Sequence, residues 1–64
     1  MSNVYLVMNS EGASRFIVCA NNTQRAYELA KEKSNKQNEV FDRSFLIGKS
    51  EHNNEMVVRE ITNN

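Results

Sequence analysis

The chain has 64 residues, eight basic and eight acidic side chains and a formal net charge of zero, so it has room for one small domain, residues 1–64. Zero net charge argues against a DNA mimic, which needs an acidic excess, and against a protein that binds nucleic acid mainly through phosphates, which needs a basic one. One cysteine excludes an internal disulfide and one histidine argues against a zinc site, so self-association is the remaining way to supplement so small a core.

Two apolar segments near the N-terminus predict a β-hairpin. Residues 4–8 are apolar at every position, which is typical of a central strand covered on both faces. A polar turn containing Gly12 follows, and residues 16–20 form the second predicted strand. Both segments are far shorter than the roughly 20 apolar residues of a membrane span, and no signal-peptide pattern opens the chain. We therefore expect a cytoplasmic protein without a membrane partner.

An amphipathic helix is predicted after the hairpin, with Asn22 as its N-cap. Ala26, Leu29 and Ala30 fall on one stripe of this helix, and Tyr27 lies at the margin of the stripe. Small residues allow a helix to approach a sheet closely. The stripe therefore predicts that the helix packs on one face of a sheet.

Two further strands are predicted at residues 40–47 and 55–62, joined by a polar turn. The element order ββαββ indicates an α+β fold, in which one helix covers one face of a four-stranded antiparallel sheet. A crossover through the helix places the third strand beside the first, which predicts the sheet order 2-1-3-4. That order leaves the second strand at an edge.

Two apolar surfaces then lack a cover: the edge of the second strand and the sheet face away from the helix. One helix can cover neither of them. We therefore expect a homodimer or a higher homo-oligomer, in which the exposed edge takes part in self-association. The residues of that edge are Phe16, Ile17, Val18 and Cys19.

No pattern in the chain indicates a catalytic, metal or cofactor site. Glu28, Glu32 and Asp42 are the candidate paired carboxylates, and they fit solvated positions on a helix face and a strand better than a converging acid–base pair. A nucleophilic pair of Cys19 with His52 competes with a simpler interpretation, a small buried hydrophobe and an exposed loop residue. We expect a protein that is not an enzyme and has no cofactor.

Candidate binding residues cluster on the third predicted strand, where Phe41, Arg43 and Phe45 alternate. Packing of the two rings in the core is one interpretation. An oligomer interface with Arg43 at its rim is a second, and stacking of single-stranded nucleic acid is a third. Further candidates for contact with a partner or ligand are Arg15, Lys49, His52 and Arg59.

The opening strand Val4-Tyr5-Leu6-Val7, and the strand at residues 16–20 that leads into the capped helix, resemble the very small ββαββ proteins encoded by bacteriophages and prophages. The resemblance implies a non-enzymatic accessory in the cytoplasm of a bacterial host, one that blocks a host or defence protein. One alternative is an oligomer that sequesters a small anionic signal such as a nucleotide, through cations gathered from several subunits. A second alternative is binding of single-stranded nucleic acid, against which the zero net charge argues.

Overall fold

The computed structural model describes residues 2–9, 14–34, 40–51 and 54–62. Its elements follow the predicted order ββαββ, and the α+β class with one antiparallel sheet and one helix is confirmed. The third strand begins at Arg43, three residues later than predicted. Just before it, the Asp42 N–H donates a hydrogen bond to the Met8 carbonyl, but this contact lies outside the strand pairing. The elements are β1 (Ser2–Met8), β2 (Ser14–Ala20), α1 (Thr23–Lys33), β3 (Arg43–Ser50) and β4 (Met56–Thr62).

The sheet has the order β3-β1-β2-β4, with every neighbouring pair antiparallel. The prediction that β1 is central and lies between β2 and β3 is confirmed. The predicted order 2-1-3-4 is wrong, because β4 pairs with β2 instead of β3. After α1 the chain forms β3 beside β1, and it then crosses to the other edge of the sheet, where β4 pairs with β2. β4 thereby covers the apolar edge that the predicted order leaves exposed.

The correction removes the predicted self-association edge. Phe16, Ile17, Val18 and Cys19 lie in a strand that has hydrogen-bonded neighbours on both sides, β1 and β4. The outer strands of the sheet are β3 and β4. A strand-to-strand contact with another chain would therefore have to use one of these two strands.

The core lies between the sheet and α1. Asn22 caps the helix as predicted, since its side-chain oxygen accepts a hydrogen bond from the Arg25 N–H at 2.9 Å. Ala26 and Ala30 are fully buried, which lets the helix lie close to the sheet. The buried hydrophobic residues of the core are Tyr5, Val7, Phe16, Val18, Ala20, Ala26 and Ala30.

Each outer strand contains a bulge where it pairs with its inner neighbour. Opposite Val4 and Tyr5 the pairing of β3 shifts by one residue, and Ile47 is the extra residue. Opposite Ile17 and Val18 the pairing of β4 shifts in the same way, and Val58 is the extra residue. A bulge changes which side chains share a face, so simple alternation along β3 and β4 does not hold across it.

Glu55 fixes the start of β4 to the start of the helix. Its carboxylate accepts hydrogen bonds from the Asn21 N–H and from the Arg25 Nε–H, each at 3.1 Å. The Asn21 hydrogen bond, with a smaller contribution from the Arg25 guanidinium, lowers the pKa of Glu55 below its ordinary value even though partial burial acts in the opposite direction.

Replacing Glu55 with glutamine should flatten the acid side of the stability curve. Because the folded-state pKa is lowered, the carboxylate stabilises the fold above its unfolded pKa of about 4.3, and this stabilisation is lost as the pH falls through the folded value. Urea denaturation of both proteins between pH 7 and pH 3 measures the difference. The matched control is Glu51→Gln, which removes an exposed carboxylate. Parallel curves for wild type and Glu55→Gln would contradict this role for Glu55.

Candidate binding face

The sheet face opposite the helix is apolar on all four strands. Tyr5 and Val7 point into the core, so alternation along β1 turns Val4 and Leu6 to the other face, and the cross-strand register identifies their neighbours. Within the described ranges α1 is the one helix, and it packs on the core side. We call the sheet face opposite α1 the open face. Its apolar residues are Val4, Leu6, Met8, Ile17, Cys19, Phe45, Met56, Val58 and Ile61.

The open face is large for so small a protein. Four strands spaced about 4.8 Å apart, each about seven residues long at roughly 3.3 Å per residue, give a projected area on the order of 400 Å². Phe45, Met56 and Val58 are 49%, 51% and 53% exposed. The apolar side chains occupy much of this area, and exposed apolar patches of a few hundred Å² are often functional.

Three arginines lie on one half of the open face. Arg43 pairs with Met8, and Met8 pairs with Arg15, so the three side chains leave the same face in adjacent strands. Arg59 lies in β4 opposite Ile17, which is two residues beyond Arg15 in β2 and so on the same face. The part of the chain that the structure describes holds no ion pair to Arg15, Arg43 or Arg59. The sequence predicts all three as binding residues but does not indicate that they lie together.

A depression of about 550 Å³ lies at the other half of the open face. Its volume is within the range of about 300–1,000 Å³ that is typical of ligand pockets, and its wall is largely apolar. Among the described residues of this wall Lys49 is the one that is charged, so the depression suits an apolar group better than a phosphate. The residues that line it are Val4, Ile17, Cys19, Lys49, Ser50, Asn54, Met56 and Val58.

The two candidate aromatic residues lie on opposite sides of the sheet. Phe41 precedes β3 and packs against Phe16, with ring centroids 5.4 Å apart and an edge-to-face angle of 73°. Phe45 lies on the open face beside Leu6. Core packing is therefore the correct interpretation for Phe41 and the wrong one for Phe45. Because the rings do not share a face, they cannot form the predicted stacking platform together with Arg43.

The remaining candidates are distributed as follows. Lys49 is exposed and borders the depression, and His52 lies outside the described residues. Glu28 forms a salt bridge with the Arg25 guanidinium, and Cys19 is buried at the base of the open face. In the described ranges no group of three or more histidine, cysteine, aspartate or glutamate side chains is arranged to hold a metal ion.

Sequence reasoning anticipated an uncovered face but missed the depression. Simple alternation along the fourth strand would put Val58 and Arg59 on opposite faces, whereas Arg59 pairs with Ile17 on the open face and Val58, the extra residue of the bulge, lines the depression on the same face. Met56 and Cys19 meet because β4 pairs with β2, which the predicted order excluded. The one signal in the sequence that points to this face is the uninterrupted apolar character of residues 4–8.

Comparisons with protein-family models, curated proteins and solved structures found no match to the chain. The described part of the chain contains no helix long and apolar enough to cross a membrane.

Proposed function

We propose that the chain is a non-enzymatic protein-binding module and that the open face is its binding surface. The observation that carries the proposal is an apolar sheet face, on the order of 400 Å² in projection, which no described element of the chain covers. Its composition supports a protein partner. Aromatic residues, methionine and arginine are enriched at protein interfaces, and the open face carries Phe45, Met8, Met56 and three arginines.

The geometry supports a protein better than a nucleotide or a nucleic acid. A nucleotide would need cations around the depression, where the described wall provides Lys49 alone. A single-stranded nucleic acid would need several aromatic rings on one face, whereas Phe45 is the one aromatic residue among the described residues of the open face.

The biological role that we propose is inhibition of a bacterial protein by direct contact. The resemblance to phage-encoded ββαββ accessory proteins supports this role. In the proposed role, binding through the open face covers a functional surface of the target in the bacterial cytoplasm. Homo-oligomerisation through the same face is the competing use of this surface.

Replacing Val58 with glutamate should abolish capture of the target. Val58 is half exposed at the depression, so the substitution places a charge on the binding surface without removing a core residue. Immobilised wild-type protein is incubated with bacterial lysate, and the retained proteins are quantified by mass spectrometry. We expect one stoichiometric protein that wild type retains and Val58→Glu does not.

The matched control is Glu32→Lys, at an exposed position on the helix, away from the open face. This variant should retain the same protein in the same amount as wild type. Circular dichroism verifies that both variants are folded. Failure of wild type to retain a stoichiometric protein, or equal retention by Val58→Glu, would contradict the proposed function.

A further inference from the structure

We infer that the partner of the open face is an acidic protein segment with a large apolar side chain, in which the apolar group fills the depression and carboxylates meet the three arginines. The inference rests on the proposed function, because it specifies the partner of the same surface. It follows from an uneven distribution of charge over the open face. The cationic half contains Arg15, Arg43 and Arg59, and the apolar half contains the depression.

The paired strand positions on the open face hold no acidic residue. Glu60, the acidic residue nearest in β4, lies opposite Phe16 and therefore faces the helix side. Glu55 is held by Asn21 and Arg25 on that side of the fold. The zero net charge of the whole chain thus conceals a face that carries positive charge alone within the described strands.

This charge distribution argues against a second copy as the occupant. In a symmetric dimer both subunits contribute the same patch, so the second copy would bring three more arginines and, from its described strands, no carboxylate. Arg15 lies in an inner strand and is already half buried, so a covering sheet would desolvate its guanidinium without a counter-charge. Leaving a buried charge unpaired is strongly destabilising, whereas a carboxylate from a different protein would pair with it.

The spacing of the two halves sets the spacing of the groups in the partner. Arg15 and Cys19 are four residues apart in β2, which corresponds to about 13 Å. An extended partner segment covers that distance in the same number of residues, and its residues i and i+4 point to one side. The matching segment therefore carries an aromatic or large aliphatic residue at i and aspartate or glutamate near i+4.

The test titrates the isotope-labelled full chain with three synthetic nine-residue peptides and follows the amide chemical shifts. The first peptide has tryptophan at its third position and glutamate at its seventh and ninth. The second replaces both glutamates with lysine, and the third replaces the tryptophan with alanine. At low salt we expect the first peptide to bind about tenfold more tightly than either of the others, with shifts confined to the open face.

Charge reversal on the open face provides the decisive variant. Arg43→Glu/Arg59→Glu should reverse the preference, so that the lysine peptide binds more tightly than the glutamate peptide. Lys31→Glu/Lys33→Glu changes the net charge by the same amount on the exposed side of the helix and should leave the preference as in wild type. Raising the salt concentration to 0.5 M should reduce the difference between the two peptides.

Several results would overturn the inference. One is absence of binding or of a preference, and another is a preference that Arg43→Glu/Arg59→Glu leaves unchanged. Concentration-dependent shifts of the open face without peptide would assign the surface to a second copy, and tighter binding of a twelve-nucleotide oligothymidine would assign it to nucleic acid. If a target is captured in a Val58-dependent manner but the peptides show no preference, the proposed function stands and this inference falls. If no target is captured, the proposed function itself falls.

Discussion

Replacing Phe16 with alanine should remove a large part of the free energy of unfolding. The Phe16 side chain is 0% exposed, lies in an inner strand and packs edge-to-face against Phe41. Removing a fully buried phenylalanine costs about 3–5 kcal/mol. A domain of this length has a free energy of unfolding of only about 3–10 kcal/mol, so the loss is comparable with the total. Urea denaturation followed by far-UV circular dichroism measures the free energy of unfolding of wild type and of Phe16→Ala, and the difference is the cost of the substitution.

The matched control is Phe45→Ala, which removes the same ring from the open face. Because Phe45 is half exposed and no described element packs on it, this substitution should lower the free energy of unfolding by less than about 1 kcal/mol. A loss as large as that of Phe16→Ala would mean that Phe45 is buried in solution. In that case a second copy would be covering the open face, which would contradict the inference of an acidic partner as its occupant.

Local features of the fold could be predicted from the sequence because each depends on neighbouring residues. Asn22 identifies the start of the helix, since its side chain caps the first turn wherever the helix is placed in the fold. The apolar character of residues 4–8 identifies β1 as an inner strand. A strand that is apolar at every position is typical of the centre of a sheet, where both of its faces are covered by other apolar groups. The uncovered sheet face followed from the same observation.

The sheet order could not be predicted in the same way. A fourth strand paired with β3 and a fourth strand paired with β2 have the same alternation of apolar residues, so the sequence pattern does not distinguish them. The observed order has one advantage, which is that β4 covers the apolar edge of β2. That advantage depends on contacts between residues about 40 positions apart, and local patterning contains no information on them.

The composition of the candidate site was difficult to predict for a related reason. Strict alternation predicts Phe41, Arg43 and Phe45 on one face, but the strand begins at Arg43, so its alternation does not extend to Phe41. Phe41 therefore reaches the core beside Phe16, while Arg43 and Phe45 remain on the open face. The bulge at Val58 likewise changes which side chains of β4 lie on the open face, so simple alternation does not predict them. Strand ends and bulges thus decided which candidates share a surface.

A disulfide between Cys19 and a cysteine introduced by Met56→Cys should form readily and stabilise the protein by up to about 4 kcal/mol. Cys19 and Met56 are direct cross-strand partners of β2 and β4. Directly opposed residues in an antiparallel pair have Cα atoms about 4.5–5.5 Å apart, and disulfides accept about 4.4–6.8 Å. The bond would close a loop from residue 19 to residue 56, and for a loop of that length the chain-entropy model gives a stabilisation of about 4 kcal/mol.

The same variant distinguishes the two sheet orders. In the order 2-1-3-4 two strands would separate β2 from β4, and the two sulfurs would be roughly 14 Å apart, too far for a bond. Mild oxidation of the dilute variant, followed by mass spectrometry and thermal denaturation with and without reductant, tests the prediction. We expect an intramolecular loss of two hydrogens and a melting temperature that falls on reduction. Met56→Ser controls for loss of the methionine, and persistence of two free thiols would contradict the pairing of β2 with β4.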